Sequence, residues 1–245
     1  AVVEETHSDN MFQLTPSATA VDSIQYDNAF RMCFSDPNQG SASADYIAEN
    51  KLATKVAIIY NSSDTYSSGI YQTFATEAKA KGLDVVAAEA FTADNKTDFS
   101  VQIQKAKDAG AELVFLPIYY QEASLILAQA NKAGFTPKWF GCDGMDGILD
   151  LDGFDASLAE DLMFLTPFTA NATDEATQKF VADYKEAFGD TPIQFAADAY
   201  DCVYVIKAAA EKEDVTPDKS VSDICDALKK GMTEITYDAV SYTHL

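Results

Sequence analysis

From Lys55 onward, apolar and polar positions fall into two alternating kinds of block. Residues 55–60 (KVAIIY) form an apolar run of strand length, and Ile70, Phe74 and Ala78 then recur at a helical spacing. Lys79, Lys81 and Gly82 close that helix, cations and a glycine where the helix dipole and the left-handed C-terminal turn favour them. The pattern next predicts a strand over 84–91, a helix over 99–109 stopping at Gly110 and a strand over 112–118. A helix over 122–133 stopping at Gly134 and a short strand over 138–140 complete it. Such alternation defines βαβ units on a parallel sheet. The runs 56–60 and 113–116 are apolar throughout, as strands covered on both faces should be.

The flanks read differently. Before this block lie strands over 11–15 and 30–34. After it come a strand over 162–165 and helices over 173–188, 195–212 and 220–230, the first with an apolar stripe of Ala176, Phe180, Tyr184 and Phe188. These pieces suggest a second lobe built from both chain ends. The chain would cross between lobes at Ser35-Asp36-Pro37 and at Thr166-Pro167, where proline and turn formers suit hinge segments. The expected division is 1–36 with 167–240 as a first lobe and 37–166 as a second. Both are doubly wound, Rossmann-like α/β lobes, and the first is incomplete because its pieces supply too few strands. Residues 1–10 read as the end of a helix, and 241–245 as a foreign tail, so the chain is expected to be a fragment truncated at both ends.

Composition narrows the function. In 245 residues, 39 acids against 17 Lys and Arg give a formal charge of −22, which repels nucleic acid and anionic surfaces but hardly affects a zwitterion. The apolar content of 47 % excludes a disordered acidic chain. No stretch approaches a membrane span, and no signal peptide is visible. The four cysteines are scattered without metal or redox spacing and are expected to be buried free thiols. Only His7 and His244 could serve as a histidine base, and GxSxG, P-loop and GxGxxG motifs are missing, so no enzyme signature remains. The run 142–155 (CDGMDGILDLDGFD) fails the calcium-loop spacing and reads as a polar loop solvating a short helix. Neither a cofactor nor a metal is expected.

In open α/β sheets, ligands bind outside the carboxyl ends of the strands. Four places put suitable chemistry there: Ser17, Ala18 and Thr19 after the first strand, Tyr66 in the loop after 56–60, Tyr119 and Tyr120 after 112–118, and Asp143 after 138–140. Each has a plainer role too. Asp143 could form a turn, Ser17 and Thr19 could cap the next helix, and only one of the two tyrosines can face a ligand. Tyr200 could face a ligand or pack in the core, and packing suits it better.

The segments LTPSATA, FRMCFSDPNQG, VAIIYNSSDTYSSG, TDFSVQIQKAKDAGAELVFLPIYYQEA and WFGCDGMDG resemble, in order and spacing, the branched-chain amino-acid-binding proteins of ABC importers. The resemblance runs over residues 11–240 and implies the type I periplasmic binding fold. It further implies that Ser17, Ala18 and Thr19 hold the α-carboxylate and ammonium of an amino acid, that Asp143 pairs with the ammonium, and that Tyr66 and Tyr119 close over the ligand. Asp143 stands where some relatives carry Glu, and Met145 where many carry Trp, so ammonium contact and side-chain preference could both differ. The function so implied is capture of a branched-chain or other aliphatic amino acid in an interlobe cleft by a monomer that delivers it to membrane permease subunits. The location implied is periplasmic, or extracellular on a lipid anchor. A sensory or regulatory module of the same fold, or a binder of amides or urea, is the alternative.

Overall fold

The computed structural model describes residues 2–241; His244 and the other expected tail residues beyond Ser241 lie outside them. Along the chain run α1 (Val3–Ser8), β1 (Gln13–Thr15), β2 (Ala29–Arg31), α2 (Asp36–Glu49), β3 (Lys55–Asn61), α3 (Thr65–Ala80), β4 (Asp84–Phe91) and α4 (Ser100–Asp108). There follow β5 (Leu113–Leu116), α5 (Tyr120–Lys132), β6 (Lys138–Gly141), β7 (Met163–Phe164), α6 (Glu175–Phe188), α7 (Gln194–Lys212) and α8 (Val221–Glu234). The chain divides into two compact units: Ser35–Thr166, and the described parts of Ala1–Phe34 and Pro167–Leu245.

The continuous unit is a five-stranded parallel sheet in the order β4-β3-β5-β6-β7. Alternate residues of one strand feed opposite cores. Ala57 and Ile59 of β3 join α4 and α5 through Ile103, Ala106, Ile126 and Ala130. Val56 and Ile58 join α2 and α3 through Ala44, Ile47, Ile70 and Phe74. All of these are at most 1 % exposed, and each large one contributes about 1.5–3 kcal/mol by leaving water. Phe74 stacks on Phe115 at 4.0 Å between centroids, tying α3 to β5. The strand read at 162–165 is β7, the edge of this sheet, paired with β6 through Phe140↔Met163 and Gly141↔Phe164.

Helix α2 has no counterpart in the pattern of apolar positions. Ser35 caps it, its side chain accepting from the Asn38 amide at 3.3 Å, and Pro37 fits the first turn. Ser35-Asp36-Pro37 is therefore a helix start as well as a connection. The buried face of α2 is Asp36, Gln39, Gly40, Ser43, Ala44 and Ile47, mostly small or polar, because α3 comes too close for large side chains. A Cβ on Gly40 would lie 2.6 Å from the Ile70 carbonyl oxygen and 2.8 Å from the Phe74 nitrogen.

The other unit holds the parallel pair β1–β2, with Gln13↔Ala29 to Thr15↔Arg31 in register, and α1 with α6–α8. One small core gathers Met32, Cys202, Val205 and Ala239, another Phe168, Phe180, Val181 and Ala197. In α6 the buried positions are Thr177, Phe180 and Val181. The stripe read from the sequence is thus rotated off the core, which leaves Phe188 71 % exposed. Tyr200 packs at 4.7 Å from Phe180, within the second of these cores. Helix α7 buries Gln194, Ala197, Asp198, Asp201, Cys202, Val205 and Ala209, a helical face that includes two acids. Asp201 accepts from the amides of Val240 and Ser241 and from the Ser241 hydroxyl, so Ser241, the first residue of the expected tail, is buried.

Candidate ligand-binding site

In the strand order of the continuous unit, β3 and β5 are the neighbours at which the winding reverses, and doubly wound sheets bind ligands outside the carboxyl ends of such strands. Tyr66 follows β3, Tyr119 follows β5 and Asp143 follows the adjacent β6. The structure brings these three together. Tyr66 lies in the first turn of α3, not in a loop: Asp64 caps that helix by accepting from the Ser67 amide, which turns Tyr66 inward to 7 % exposure. Its hydroxyl donates to Oδ1 of Asp143 at 2.7 Å and accepts from the Gly144 amide at 3.0 Å. Asp143, 4 % exposed, opens a single 3₁₀ turn over Asp143–Met145, and its own amide donates to Oε1 of Gln39 at 3.1 Å.

Tyr119 lies just ahead of α5, 42 % exposed, its ring stacked on Tyr66 at 4.9 Å. Tyr120 enters α5 and packs against the core, so Tyr119 is the exposed one of the pair. Gly144 permits this closeness, since a Cβ there would meet the Ile118 carbonyl oxygen and the Tyr66 hydroxyl at 2.9 Å each and the Tyr119 ring at 3.2 Å. Met145 is wholly buried and lies over Gly141, so it reaches the site only through packing.

The electrostatics of this edge favour a cation. Burial, and after it the charge of Asp143, holds the Tyr66 phenol well above its usual range and the Cys142 thiol likewise. Tyr119 is raised by burial and then by the charges of Asp64, Asp143, Asp36 and Glu122. A carboxylate held by a buried phenol, in an acidic field and beside an exposed aromatic ring, suits an ammonium group. Among the described residues there is no grouping of His, Cys, Asp and Glu that could hold a metal, and Cys33, Cys142, Cys202 and Cys225 are buried and outside any disulfide. His7, in the other unit, stacks on Tyr26 at 4.2 Å. No helix among the described residues is long and apolar enough to cross a membrane.

Ser17, Ala18 and Thr19 belong to the other unit. Thr15 Oγ1 accepts from the Ala18 amide at 3.1 Å, folding the segment into a turn beyond β1. Ala18 is exposed, Ser17 partly exposed and Thr19 3 % exposed. Neither hydroxyl caps the short 3₁₀ helix Val21–Ile24 that follows. The Ser17 hydroxyl instead donates to Oδ2 of the buried Asp198 at 2.7 Å. Arg31, the sole arginine of the chain, donates to the Thr19 carbonyl oxygen at 2.9 Å.

Two polar residues beside the expected ones escaped the reading of the sequence. Gln39 left no signal, since it lies on a helix face of small residues. Asp198 left one: with Asp201 it puts two acids on the buried face of α7.

A family model described as "Periplasmic binding protein" matches residues 1–244, and the chain belongs to that family. Its parallel α/β architecture is that of the type I periplasmic binding proteins. It is 30 % identical over 224 residues to Leu/Ile/Val-binding protein homolog 3 of Brucella melitensis, covering 89 % of this chain and 59 % of the relative. It is 28 % identical over 206 residues to the leucine-, isoleucine-, valine-, threonine- and alanine-binding protein of Pseudomonas aeruginosa, covering 83 % and 54 %. Among solved structures, the branched-chain amino acid transporter substrate binding protein LivJ of Streptococcus pneumoniae in complex with isoleucine aligns with a TM-score of 0.85 at 28 % identity. That alignment covers 98 % of this chain and 66 % of that one. The chain thus spans a little over half the length of the first two relatives.

Proposed function

We propose that this protein is an extracytoplasmic solute-binding protein that captures an α-amino acid, branched-chain or otherwise aliphatic, and presents it to the membrane subunits of an ABC importer. The observation that carries the reading is the Asp143 carboxylate held by Tyr66 beside the exposed ring of Tyr119. In this reading Asp143 takes the ammonium and Tyr119 covers the ligand. Tyr66, its hydroxyl engaged on Asp143 and Gly144, fixes the carboxylate. Ser17, Ala18 and Thr19 form a second set of polar contacts. The protein acts by binding, without catalysis, as a monomer. Its net charge of −22 suits a zwitterionic ligand better than an anion. The relatives named for leucine, isoleucine and valine support the ligand class.

A thermal-shift screen of the full-length protein against the common amino acids, amides, urea and sugars tests the class. Stabilisation is expected with leucine, isoleucine or valine. Stabilisation by amides, urea or sugars alone would overturn it.

A further inference from the structure

The backbone amides of the turn that carries Asp143 are of two kinds. Those of Met145 and Asp146 close the turn on the Cys142 and Asp143 carbonyl oxygens, at 3.0 Å each. Those of Asp143 and Gly144 point out of it and donate to side chains: Asp143 to Oε1 of Gln39 at 3.1 Å, Gly144 to the Tyr66 hydroxyl at 3.0 Å. A buried amide left without an acceptor costs about as much as a lost hydrogen bond, so each of these side chains holds the turn in place. They come from different helices, Gln39 from α2 and Tyr66 from α3.

Close contacts lock the two helices to each other. A Cβ on Gly40, next to Gln39, would strike the α3 backbone, and a Cβ on Gly69, one turn after Tyr66, would lie 3.3 Å from Oδ2 of Asp36. Gln39 itself is 1 % exposed, and its carboxamide is engaged at one end only. Oε1 accepts from Asp143, while Nε2 is buried and finds no acceptor among the described residues. A methionine would fill the same space without burying that nitrogen. The oxygen is therefore the atom that sets glutamine apart at this position.

We propose that Gln39 is a positioning residue for the ammonium acceptor. Through Oε1 it fixes the Asp143 backbone, as Tyr66 fixes the carboxylate, so that Asp143 is aimed before a ligand arrives. This rests on the amino-acid reading above and adds to it a residue too deeply buried to touch a ligand itself. Every group involved belongs to the continuous unit. Such preorganisation raises affinity because the ligand need not order its partner on binding.

The test uses the full-length protein carrying Gln39→Met, which keeps the side-chain length and loses the acceptor, or Gln39→Glu, which keeps an oxygen there. Hydrogen exchange of the Asp143 amide without ligand, resolved by mass spectrometry, reads the bond itself. It should quicken about tenfold in Gln39→Met and stay within about threefold of wild type in Gln39→Glu, while the amides of β3 and β5 exchange as before. Leucine titration reads the consequence. Gln39→Met should bind about tenfold more weakly than wild type, with Gln39→Glu clearly tighter than Gln39→Met. Leucinamide, which keeps the ammonium, should lose the same factor as leucine. A residue that only filled space would lower the urea midpoint in Gln39→Met and leave both the exchange of Asp143 and the affinity unchanged, and that result would overturn the proposal. So would a Gln39→Glu variant that protects the amide no better and binds no tighter than Gln39→Met. Should Gln39→Met fail to fold, Gln39→Glu decides, since an unprotected Asp143 amide there would overturn the proposal and a protected one support it. Absence of leucine binding by the wild type would count against the proposed function, and exchange in the ligand-free protein would still count for or against Gln39.

Discussion

The Tyr66 hydroxyl donates to Oδ1 of Asp143 at 2.7 Å while accepting from the Gly144 amide at 3.0 Å, so one buried oxygen fixes both the carboxylate and the turn that carries it. Replacing Tyr66 by Phe keeps the ring against Tyr119 but leaves the Asp143 oxygen and the Gly144 amide without this partner. The expected cost is about 1–3 kcal/mol of stability. Amino-acid affinity should also fall, by about tenfold or more, a factor equivalent to about 1.4 kcal/mol. Urea denaturation and calorimetry on the same preparation check the two effects; an unchanged affinity would remove Tyr66 from the support of Asp143.

Gly144 lies where three groups converge. An alanine Cβ would stand 2.9 Å from the Ile118 carbonyl oxygen, a backbone atom that cannot rotate away. Gly144→Ala should therefore displace the turn and weaken amino-acid binding more than it lowers the unfolding midpoint. Binding at wild-type strength would mean that the turn's position does not matter to the ligand.

Gly40 tests the helix that periodicity missed. A Cβ there would meet the backbone of α3 at 2.6 and 2.8 Å, forcing α2 and α3 apart. Gly40→Ala should destabilise the protein by roughly 1–3 kcal/mol, as overpacking usually does. It should also reduce affinity, because α2 carries the Gln39 that accepts from the Asp143 amide. Denaturant titration with a ligand titration reads both.

The alkaline side of the pH profile follows from Tyr66 and Cys142. Their folded pKa values are raised, above ordinary values of 10.0 and 9.0, by burial first and then by the Asp143 charge. The unfolded chain ionises at the ordinary values while the folded protein resists. Their stabilising contribution is therefore whole below pH 9.0 and declines as the pH rises beyond it. Urea midpoints from pH 7 to 11 should show that decline, and Tyr66→Phe and Cys142→Ala should each flatten it. Equal slopes in wild type and variants would contradict this origin.

Much of the continuous unit was legible because its strands are covered on both faces and its helices carry apolar residues at a regular spacing. Ile70, Phe74 and Ala78 of α3 are the clearest case, all fully buried. Helix α2 was not legible, since packing against α3 replaces the apolar stripe by Gly40, Ser43 and Ala44. Asp143, Tyr66 and Tyr119 could be placed at strand ends from the sequence, because the parallel sheet fixes where such ends gather. Their division of labour could not. That Tyr66 is buried against Asp143 while Tyr119 stays exposed depends on the Asp64 cap and on Gly144. Partners far apart in the chain were equally hidden: Asp198 is 181 positions from Ser17, and Gln39 is 104 from Asp143.

The central claim is that Asp143 captures the ammonium of an aliphatic amino acid. The most direct measurement is calorimetric titration of leucine into the full-length protein and its Asp143→Asn variant, with 4-methylpentanoate, which lacks the ammonium, as control. The account predicts saturable one-site binding of leucine by the wild type. It also predicts a loss of about 2–5 kcal/mol in the variant, the usual cost of removing one partner from a buried charge pair, and no measurable binding of the control. Leucine binding of equal strength in both proteins, or a control that binds as tightly as leucine, would contradict it.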